Sequence, residues 1–376
     1  MIKYAQGDCS SEELAEVKEA LEYGYFGMAY KVSQLEAEIR NFLDTNREVI
    51  CVNTGTSALH IALDAIGIKD GDEVILPSFT FVSTAQVITA CHGTPVFVDI
   101  NDKLVVGVSE VEKKITPKTK AILVVHYNGQ PVDMDQMLSL AKKHNVRLIE
   151  DAAHAFGSYY KGKKIGTFGD ITCFSFDSIK VMTCGEGGAV VTGDIKIIES
   201  IKYKRLLGMK RASMTDINWK NRALSYDVVT NGYRYHMSNI NAAIGLAQIK
   251  KVRDFIAYRA SLVKRYRDRL SSSKIISFFD FEYDQNANFM MPIMVKNGMR
   301  DELKKYLLDN EIESNVSYTP IHKFSFYEKY AHEQYPNTNK VFDSILSLPL
   351  HTKLSFSDVD FVIDKINQFE HEKIKF

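Results

Sequence analysis

The sequence has few of the features that mark secreted, metal-binding or membrane proteins. Its five cysteines are odd in number and form no CxxC pair, which argues against a disulfide framework and against a zinc site. No apolar run approaches the roughly 18–20 residues of a membrane helix, and the N-terminal stretch lacks the apolar segment of a signal peptide. These absences predict a soluble, cytoplasmic protein without a metal site.

An excess of charge of either sign is also lacking, because 47 Lys and Arg residues balance 47 Asp and Glu residues. No global field therefore favours nucleic acid or an anionic membrane, and an anionic ligand requires a local site. Neither internal repeats nor low-complexity segments occur. The GxGxxG and GK[ST] phosphate-binding motifs are absent as well.

The first two thirds of the chain alternate short apolar runs with helix-like patterns. Strands are predicted at 48–52, 72–77, 94–100, 120–127, 146–152, 171–176 and 188–193, with helices at 57–68, 82–93 and 133–145. The runs are continuously apolar, which is typical of strands covered on both faces. This alternation predicts an α/β fold with a mostly parallel sheet, in which ligands bind outside the carboxyl ends of the strands.

A long amphipathic helix is predicted from Ser238 to about Leu270, and shorter elements follow it at 289–296, 299–312 and 355–371. The helix reads as a connector to a smaller α/β domain. We therefore predict a large domain over 1–240, including an N-terminal segment 1–30, and a connector helix with a small C-terminal domain over 241–376.

The stretch NTGTSAL (53–59) follows a predicted strand and precedes an apolar helix. A glycine among small hydroxyl residues at a helix N-terminus leaves free N–H groups that can bind a phosphate. Taken alone, Thr56 or Ser57 is better explained as a residue that merely caps the helix.

Two charged residues lie at the ends of neighbouring predicted strands. Asp151 closes the strand in IEDAAHAFGS, and Lys180 lies between the next strand and the glycine-rich turn GEGG (185–188). Taken alone, the aspartate is better explained as a structural carboxylate and the lysine as a solvated surface residue. Together with the phosphate-binding stretch, however, they are what a pyridoxal phosphate (PLP) site needs. Such a site uses a lysine for a Schiff base, a carboxylate for the ring nitrogen and an anchor for the phosphate.

Five segments resemble, in order, the DegT/DnrJ/EryC1/StrS family of PLP-dependent nucleotide-sugar aminotransferases. They are NTGTSAL (53–59), PSFTFVSTA (77–85), EDAAHAFG (150–157), FSFDSIKVMTCGEGG (174–188) and GYRYHMSNINAAIGLAQI (232–249). The resemblance implies the fold type I aminotransferase architecture, with a seven-stranded-type sheet wrapped by helices. It also implies a homodimer whose active sites are shared between subunits.

The resemblance assigns roles to residues around the cofactor. Lys180 would be the catalytic lysine, Asp151 would pair with the ring nitrogen, and His154, often glutamine in the family, would touch the phenolic oxygen. Phe81 would stack on the ring, although core packing is the competing explanation for an aromatic residue there. The phosphate would be held by Thr56, Ser57 and Ser175.

The resemblance also implies roles for three residues further along the chain. Arg234 stands where many relatives have an asparagine that reaches the phosphate in the neighbouring subunit, and an arginine could serve there by charge. Tyr318 and His322, in VSYTPIH, would line the sugar-nucleotide pocket, although a lone histidine in a loop is more often unremarkable.

The implied reaction transfers an amino group from L-glutamate to a nucleotide-linked 4-keto-6-deoxyhexose in a ping-pong cycle. GYRYHMSNINAAIGLAQI resembles the branch of the family that aminates C4 of the sugar, and PSFTFVSTA resembles its enzymes for dTDP-linked sugars. The resemblance therefore implies dTDP-4-keto-6-deoxyglucose as the acceptor and a dTDP-4-amino-4,6-dideoxyhexose as the product. It also associates the product with lipopolysaccharide O-antigen. A C3-aminotransferase and an enzyme for GDP- or UDP-linked sugars stay open, as does a non-catalytic PLP-binding regulator. The related dehydratases replace the lysine by histidine, so Lys180 argues against that activity.

Overall fold

The fold is built on a seven-stranded sheet with the strand order β1-β9-β8-β5-β4-β2-β3. The structure is a computed structural model that describes residues 1–211 and 226–374; residues 212–225 and 375–376 of the predicted domains lie outside it. The strands of this first part of the chain are β1 (Glu48–Val52), β2 (Glu73–Pro77), β3 (Thr94–Val98), β4 (Thr119–Val125), β5 (Arg147–Asp151), β6 (Tyr159–Tyr160), β7 (Lys163–Lys164), β8 (Ile171–Ser175) and β9 (Gly188–Thr192).

Only β9 runs against its neighbours in this sheet, since it pairs antiparallel with both β1 and β8. The remaining pairs, β2 with β3, β2 with β4, β4 with β5 and β5 with β8, are parallel. The predicted α/β class with a mostly parallel sheet is thereby confirmed. Strands β6 and β7 form a separate two-stranded sheet.

Helices cover both faces of the sheet, as the continuously apolar strands require. The helices that precede residue 211 are α1 (Ser11–Glu22), α2 (Tyr30–Leu43), α3 (Gly55–Ala65), α4 (Ser83–Ala90), α5 (Val108–Glu112), α6 (Met134–His144) and α7 (Ile195–Lys204). Alternate side chains of β1 show the two cores: Ile50 and Val52 pack with residues of α3, α4 and α7. Val49 and Cys51 face the other way and pack with residues of α2.

The second part of the chain begins with a short hairpin and a long helix. Its elements are β10 (Met209–Arg211), β11 (Tyr226–Val228), α8 (Asn239–Arg269), β12 (Ile276–Phe278), β13 (Met291–Val295), α9 (Arg300–Asp309), α10 (Pro336–Ser344), β14 (Ile345–Leu348) and α11 (Phe356–Ile374). Ser238 caps α8 by accepting the N–H of Asn241 on its side chain. Strands β12, β13 and β14 form an antiparallel sheet. The predicted connector helix and smaller α/β unit correspond to these elements, while the domain boundary itself stays a prediction.

The first residues of the chain contact the C-terminal unit. Ile2 forms a parallel bridge with Ile312, and the N–H of Tyr4 donates to Oε2 of Glu313 at 3.0 Å. The N–H of Leu350 donates to the Tyr4 carbonyl at 3.2 Å. The N-terminal segment thus brings a tyrosine to the boundary between the large sheet and the C-terminal unit. Among the described residues, no helix has the length and apolar character that crossing a membrane requires.

Candidate active site

The carboxyl ends of β1, β5 and β8 surround a cavity of about 490 Å³, within the size range of small-molecule sites. The residues singled out in the sequence that line it are Thr56, Phe81, Asp151, His154, Ser175, Lys180 and Tyr318. The arrangement follows the rule that parallel sheets bind ligands at this edge. Residues that are distant in sequence therefore meet in one cavity.

Lys180 is a partly buried lysine that forms no ion pair with any residue in 1–211 or 226–374. Its amine lies 4.2 Å from the centre of the Phe289 ring. Burial lowers the pKa of Lys180 to about 8, and the charges of Asp177 and Asp151 act in the opposite direction. An amine with this pKa is available as a nucleophile and as a proton acceptor near neutral pH.

Asp151, the last residue of β5, is 5% exposed. Its Oδ2 accepts a hydrogen bond of 2.8 Å from Oγ1 of Thr84, and its Oδ1 accepts the N–H of Ala153 at 3.1 Å. Burial raises the pKa of Asp151, although both hydrogen bonds and the charge of Lys180 oppose the shift. A buried carboxylate of this kind favours a cationic partner, such as a protonated ring nitrogen.

The start of α3 forms an open cradle beside the end of β8. Thr54 caps the helix, and its Oγ1 accepts the N–H of Ser57 at 2.9 Å. The preceding N–H groups of Gly55 and Thr56 belong to a helical turn that provides them with no intrahelical acceptor. A Cβ added to Gly55 would lie 2.6 Å from Cβ of Ser175, so only glycine lets the helix start approach β8 this closely. Free N–H groups beside a hydroxyl suit a phosphate.

His154 and Tyr318 form a hydrogen-bonded pair in the cavity wall. Nδ1 of His154 accepts the N–H of Asn128 at 3.3 Å, which leaves the proton of the neutral ring on Nε2. Nε2 lies 3.0 Å from the hydroxyl of Tyr318 and donates to it, so this hydroxyl keeps its own proton for another acceptor. Burial and the charge of Lys180 hold the pKa of His154 well below its ordinary value. The ring also stacks on Phe289, with centroids 4.4 Å apart.

Phe81 lies in the loop after β2 and is 51% exposed. Its ring centre lies 5.6 Å from that of Tyr318. Core packing therefore does not account for this aromatic residue, because half of its surface is open at the cavity. A planar ligand has an accessible ring face to stack on at this position.

Three residues singled out in the sequence do not line the cavity. Ser57 is buried, and its hydroxyl donates to Oδ1 of Asn53 at 2.6 Å. Arg234 is exposed, within a segment that bridges Leu206. Nδ1 of His322 lies 2.6 Å from the hydroxyl of Ser78, and the ring stacks on Tyr335. In this chain His322 is thus held by its own structural contacts.

Several other residues of the cavity were not predicted from the sequence. Those that line the cavity or bind its carboxylate include Tyr4, Thr84, Asp177, Glu186, Phe289, Asn315 and Ser317. Thr84 could have been predicted as a neighbour of Asp151, because the first turn of α4 lies at the same edge of the sheet as the end of β5. Tyr4 and Phe289 could not, because their positions depend on contacts between distant parts of the chain.

The donor set fits PLP. The cradle at Gly55 would take the phosphate, the buried carboxylate of Asp151 would take a cationic ring nitrogen, and Phe81 offers a ring face. The amine of Lys180 lies in the same cavity without a competing ion pair in the described chain. Each chemical requirement of the cofactor meets a matching group.

Two curated relatives match nearly the whole chain or most of it. The chain is 40% identical over 326 residues to GDP-perosamine synthase of Escherichia coli O157:H7, which covers 86% of this chain and 85% of the relative. It is 36% identical to the spore coat polysaccharide biosynthesis protein SpsC of Bacillus subtilis strain 168, over 97% of this chain and 96% of the relative.

Solved structures share the fold over the full length. The aminotransferase TlmJ from Streptoalloteichus hindustanus superimposes with a TM-score of 0.92 at 29% identity and covers all of both chains. Spr1654 from Streptococcus pneumoniae, solved in its PMP form, gives 0.91 at 27% identity over 99% of this chain and 100% of that one. The DegT/DnrJ/EryC1/StrS aminotransferase family model matches residues 8–367. The chain is accordingly a PLP-dependent enzyme and belongs to the DegT/DnrJ/EryC1/StrS aminotransferase family.

Proposed function

We propose that the enzyme transfers the amino group of L-glutamate to C4 of a nucleotide-linked 4-keto-6-deoxyhexose. The observation that carries the proposal is the meeting of Lys180, Asp151 and the Gly55 cradle in one cavity. When bound, PLP supplies an aldehyde that holds an amine covalently and a ring that accepts electrons. The relatives named for GDP-perosamine and for a spore coat polysaccharide support a sugar acceptor.

The residues of the chain would divide the work as follows. Lys180 binds the cofactor and, once displaced by the substrate amine, accepts and returns a proton at Nζ. Asp151 keeps the cofactor ring cationic, and Thr56 with Ser175 holds the phosphate. His154 orients the hydroxyl of Tyr318 so that its proton points to an oxygen of the ligand.

Ser57 would support the phosphate site from behind, because its side chain fixes Asn53 and Thr54 at the start of α3. His322 would act at most through Ser78, to which it is hydrogen-bonded. Neither residue needs to touch the substrate for the proposed reaction.

The acceptor's nucleotide has two candidates. The stretch PSFTFVSTA (77–85) resembles enzymes of the family that act on dTDP-linked sugars, which favours dTDP-4-keto-6-deoxyglucose. The relative with 40% identity carries GDP-perosamine in its name, which favours a GDP-linked 4-keto sugar as the second candidate. The position of amination and the nucleotide are tested together in one experiment.

In that experiment, the purified enzyme receives L-glutamate and, in separate reactions, dTDP-, GDP- or UDP-linked 4-keto-6-deoxy sugars or the corresponding 3-keto sugars, and NMR identifies the product. A 4-amino sugar is expected from one nucleotide series. A 3-keto sugar as the only accepted substrate would support C3 amination instead, and no turnover with any sugar would favour a regulatory protein. Lys180→Ala is the inactive control, and Lys204→Ala is the matched one, since Lys204 pairs with Asp64 away from the cavity.

We also propose that two copies share their active sites, with Arg234 of one copy serving the other. Within the described chain, the charged cavity residues are Asp151, Asp177, Glu186 and Lys180, an excess of carboxylates at a site that must hold a phosphate. Arg234 is exposed and leaves the cavity of its own chain without its charge. A second copy can supply this cation.

Subunit complementation tests this sharing. Lys180→Ala and Arg234→Ala should each lose activity, and a mixture that exchanges subunits should regain about a quarter of it. The heterodimer contains one site with both residues intact. Heterodimers that form without regaining activity would contradict the proposal, and so would a monomer in light scattering.

A further inference from the structure

The turn that carries Lys180 begins with a carboxylate, Asp177. The carbonyl of Asp177 accepts the N–H of Lys180 at 3.0 Å, and its Oδ1 accepts the N–H of Ile179 at 3.2 Å. Both bonds close the same short turn. Asp177 and Lys180 therefore belong to one hydrogen-bonded turn, and both line the cavity.

Asp177 also faces the cavity. In the part of the chain that the structure describes, it pairs with no arginine, lysine or histidine. Burial lowers the pKa of Lys180, and Asp177 opposes this more strongly than Asp151 does. A carboxylate that merely closed a surface turn would be screened by water and would affect Lys180 little.

The groups that face Lys180 come from several elements. They are Asp151 at the end of β5, His154 after it, Asp177 in the turn, Glu186 before β9, Tyr318 of the C-terminal unit and Tyr4 of the N-terminal segment. His154 is neutral and Tyr318 keeps its proton, because burial lowers the pKa of the first and raises that of the second. The carboxylates thus provide the negative charge in this described environment.

We propose that Asp177 is a positioning residue that acts through Lys180: its charge keeps a proton on the ε-amino group and so sets the pH at which this amine becomes reactive. The inference rests on the proposed role of Lys180. During transfer, the released amine must accept a proton from the substrate carbon and return it at another atom. A neighbouring carboxylate favours the first of these steps by stabilising the protonated amine.

Competitive labelling tests the proposal. The full-length protein, freed of cofactor with hydroxylamine, is treated with acetic anhydride over a pH series, and peptide mass mapping gives the apparent pKa of Lys180. Asp177→Asn keeps the oxygen that accepts the Ile179 N–H and loses the charge. It should lower this pKa by roughly one unit. Asp177→Ala should lower it equally and also reduce thermal stability, because the turn loses its hydrogen bond.

Glu186→Gln is the matched control, since Glu186 is a cavity carboxylate outside the turn of Lys180. It should shift the pKa clearly less than Asp177→Asn. An unchanged pKa in Asp177→Asn would reduce Asp177 to a turn residue, and an equal shift in Glu186→Gln would assign the effect to the cavity as a whole. Borohydride labelling of a lysine other than Lys180 would refute the proposed function, whereas the titration would still measure the effect of Asp177.

Discussion

Thr84 donates a hydrogen bond of 2.8 Å from its Oγ1 to Oδ2 of Asp151, and both residues are buried. The bond links the first turn of α4 to the end of β5. It stabilises the ionised carboxylate against the burial that raises its pKa. If Asp151 pairs with the cofactor ring as proposed, Thr84 supports the cationic state of that ring through this hydrogen bond.

Replacing Thr84 by valine should weaken cofactor binding. The variant keeps the shape of the side chain and removes the donor, so the pKa of Asp151 rises further. A hydrogen bond to a charged group contributes about 1.5–3 kcal/mol, which predicts a roughly tenfold or larger increase of the PLP Kd. Fluorescence titration with PLP measures this change. Thr84→Ser keeps the hydroxyl and should bind nearly as the wild type does; equal losses in both variants would contradict the hydrogen-bond explanation.

Gly55→Ala should damage the phosphate cradle through a steric contact. The new Cβ would lie 2.6 Å from Cβ and 2.8 Å from Oγ of Ser175, so the helix start or the strand must move. Overpacking of this kind costs about 1–3 kcal/mol of unfolding free energy, and PLP affinity should fall with it. Urea unfolding and PLP titration measure the two effects.

Two variants serve as controls for Gly55→Ala. Gly193 is exposed, and a Cβ added there would meet only Cγ of Arg47 at 3.8 Å, so Gly193→Ala should change little. Ser175→Gly removes the two nearest atoms, Cβ and Oγ, so Gly55→Ala should cost less stability in the Ser175→Gly background than in the wild type. An equal cost in both backgrounds would mean that the clash is not the cause.

Much of the fold followed from the sequence because its strands carry continuous apolar runs. The prediction of a strand at 48–52 matches β1, and the helix predicted from Ser238 to Leu270 matches α8 within one residue at each end. Helices α1 and α2 were not predicted. Their sequences carry more charged residues than those of α3 and α4, and the buried residues of α1 are a glutamate and an alanine, Glu13 and Ala20. Which of their faces is buried is decided by packing against α8.

The sequence likewise predicted some residues of the candidate site and missed others. Asp151 and Lys180 could be found because each follows a recognisable strand, and parallel strands end at one edge. Some of their neighbours in the cavity could not be found in this way. Tyr4, for example, reaches the cavity through contacts with Glu313 and Leu350. Pairings over such separations depend on tertiary packing, which local patterns do not specify.

Behind Asp151, the buried pair of His126 and Glu150 should contribute to stability above the pKa range of a carboxyl group. Burial opposes the ionisation of Glu150, but hydrogen bonds from His126, Thr172 and the Gly169 N–H outweigh it, so its pKa lies below the ordinary value. The contribution is present above the unfolded pKa of about 4.3 and is lost as pH falls through the folded pKa.

Glu150→Gln should therefore lower the unfolding free energy by about 2 kcal/mol or more at pH 7. The difference from the wild type should shrink below about pH 4. Urea unfolding at both pH values measures it. Glu199→Gln, at an exposed position of α7, is the matched control and should be nearly neutral at both. A pH-independent loss in Glu150→Gln would point to lost packing instead of lost charge.

His154 should make the cofactor-free protein less stable as the solution becomes acidic. Burial and the charge of Lys180 hold its pKa well below the ordinary value, so the folded state resists protonation while the unfolded chain binds a proton near pH 6.5. Stability is therefore lost as pH falls below 6.5.

Between pH 7.5 and 5.5 the unfolding free energy of the wild type should fall by about 1 kcal/mol more than that of His154→Gln, which stays neutral throughout. Urea unfolding at the two pH values measures the difference, and His92→Gln, at an exposed turn, controls for histidine titration in general. Equal losses in the wild type and His154→Gln would show that His154 can be protonated in place, contrary to its burial beside a cationic lysine.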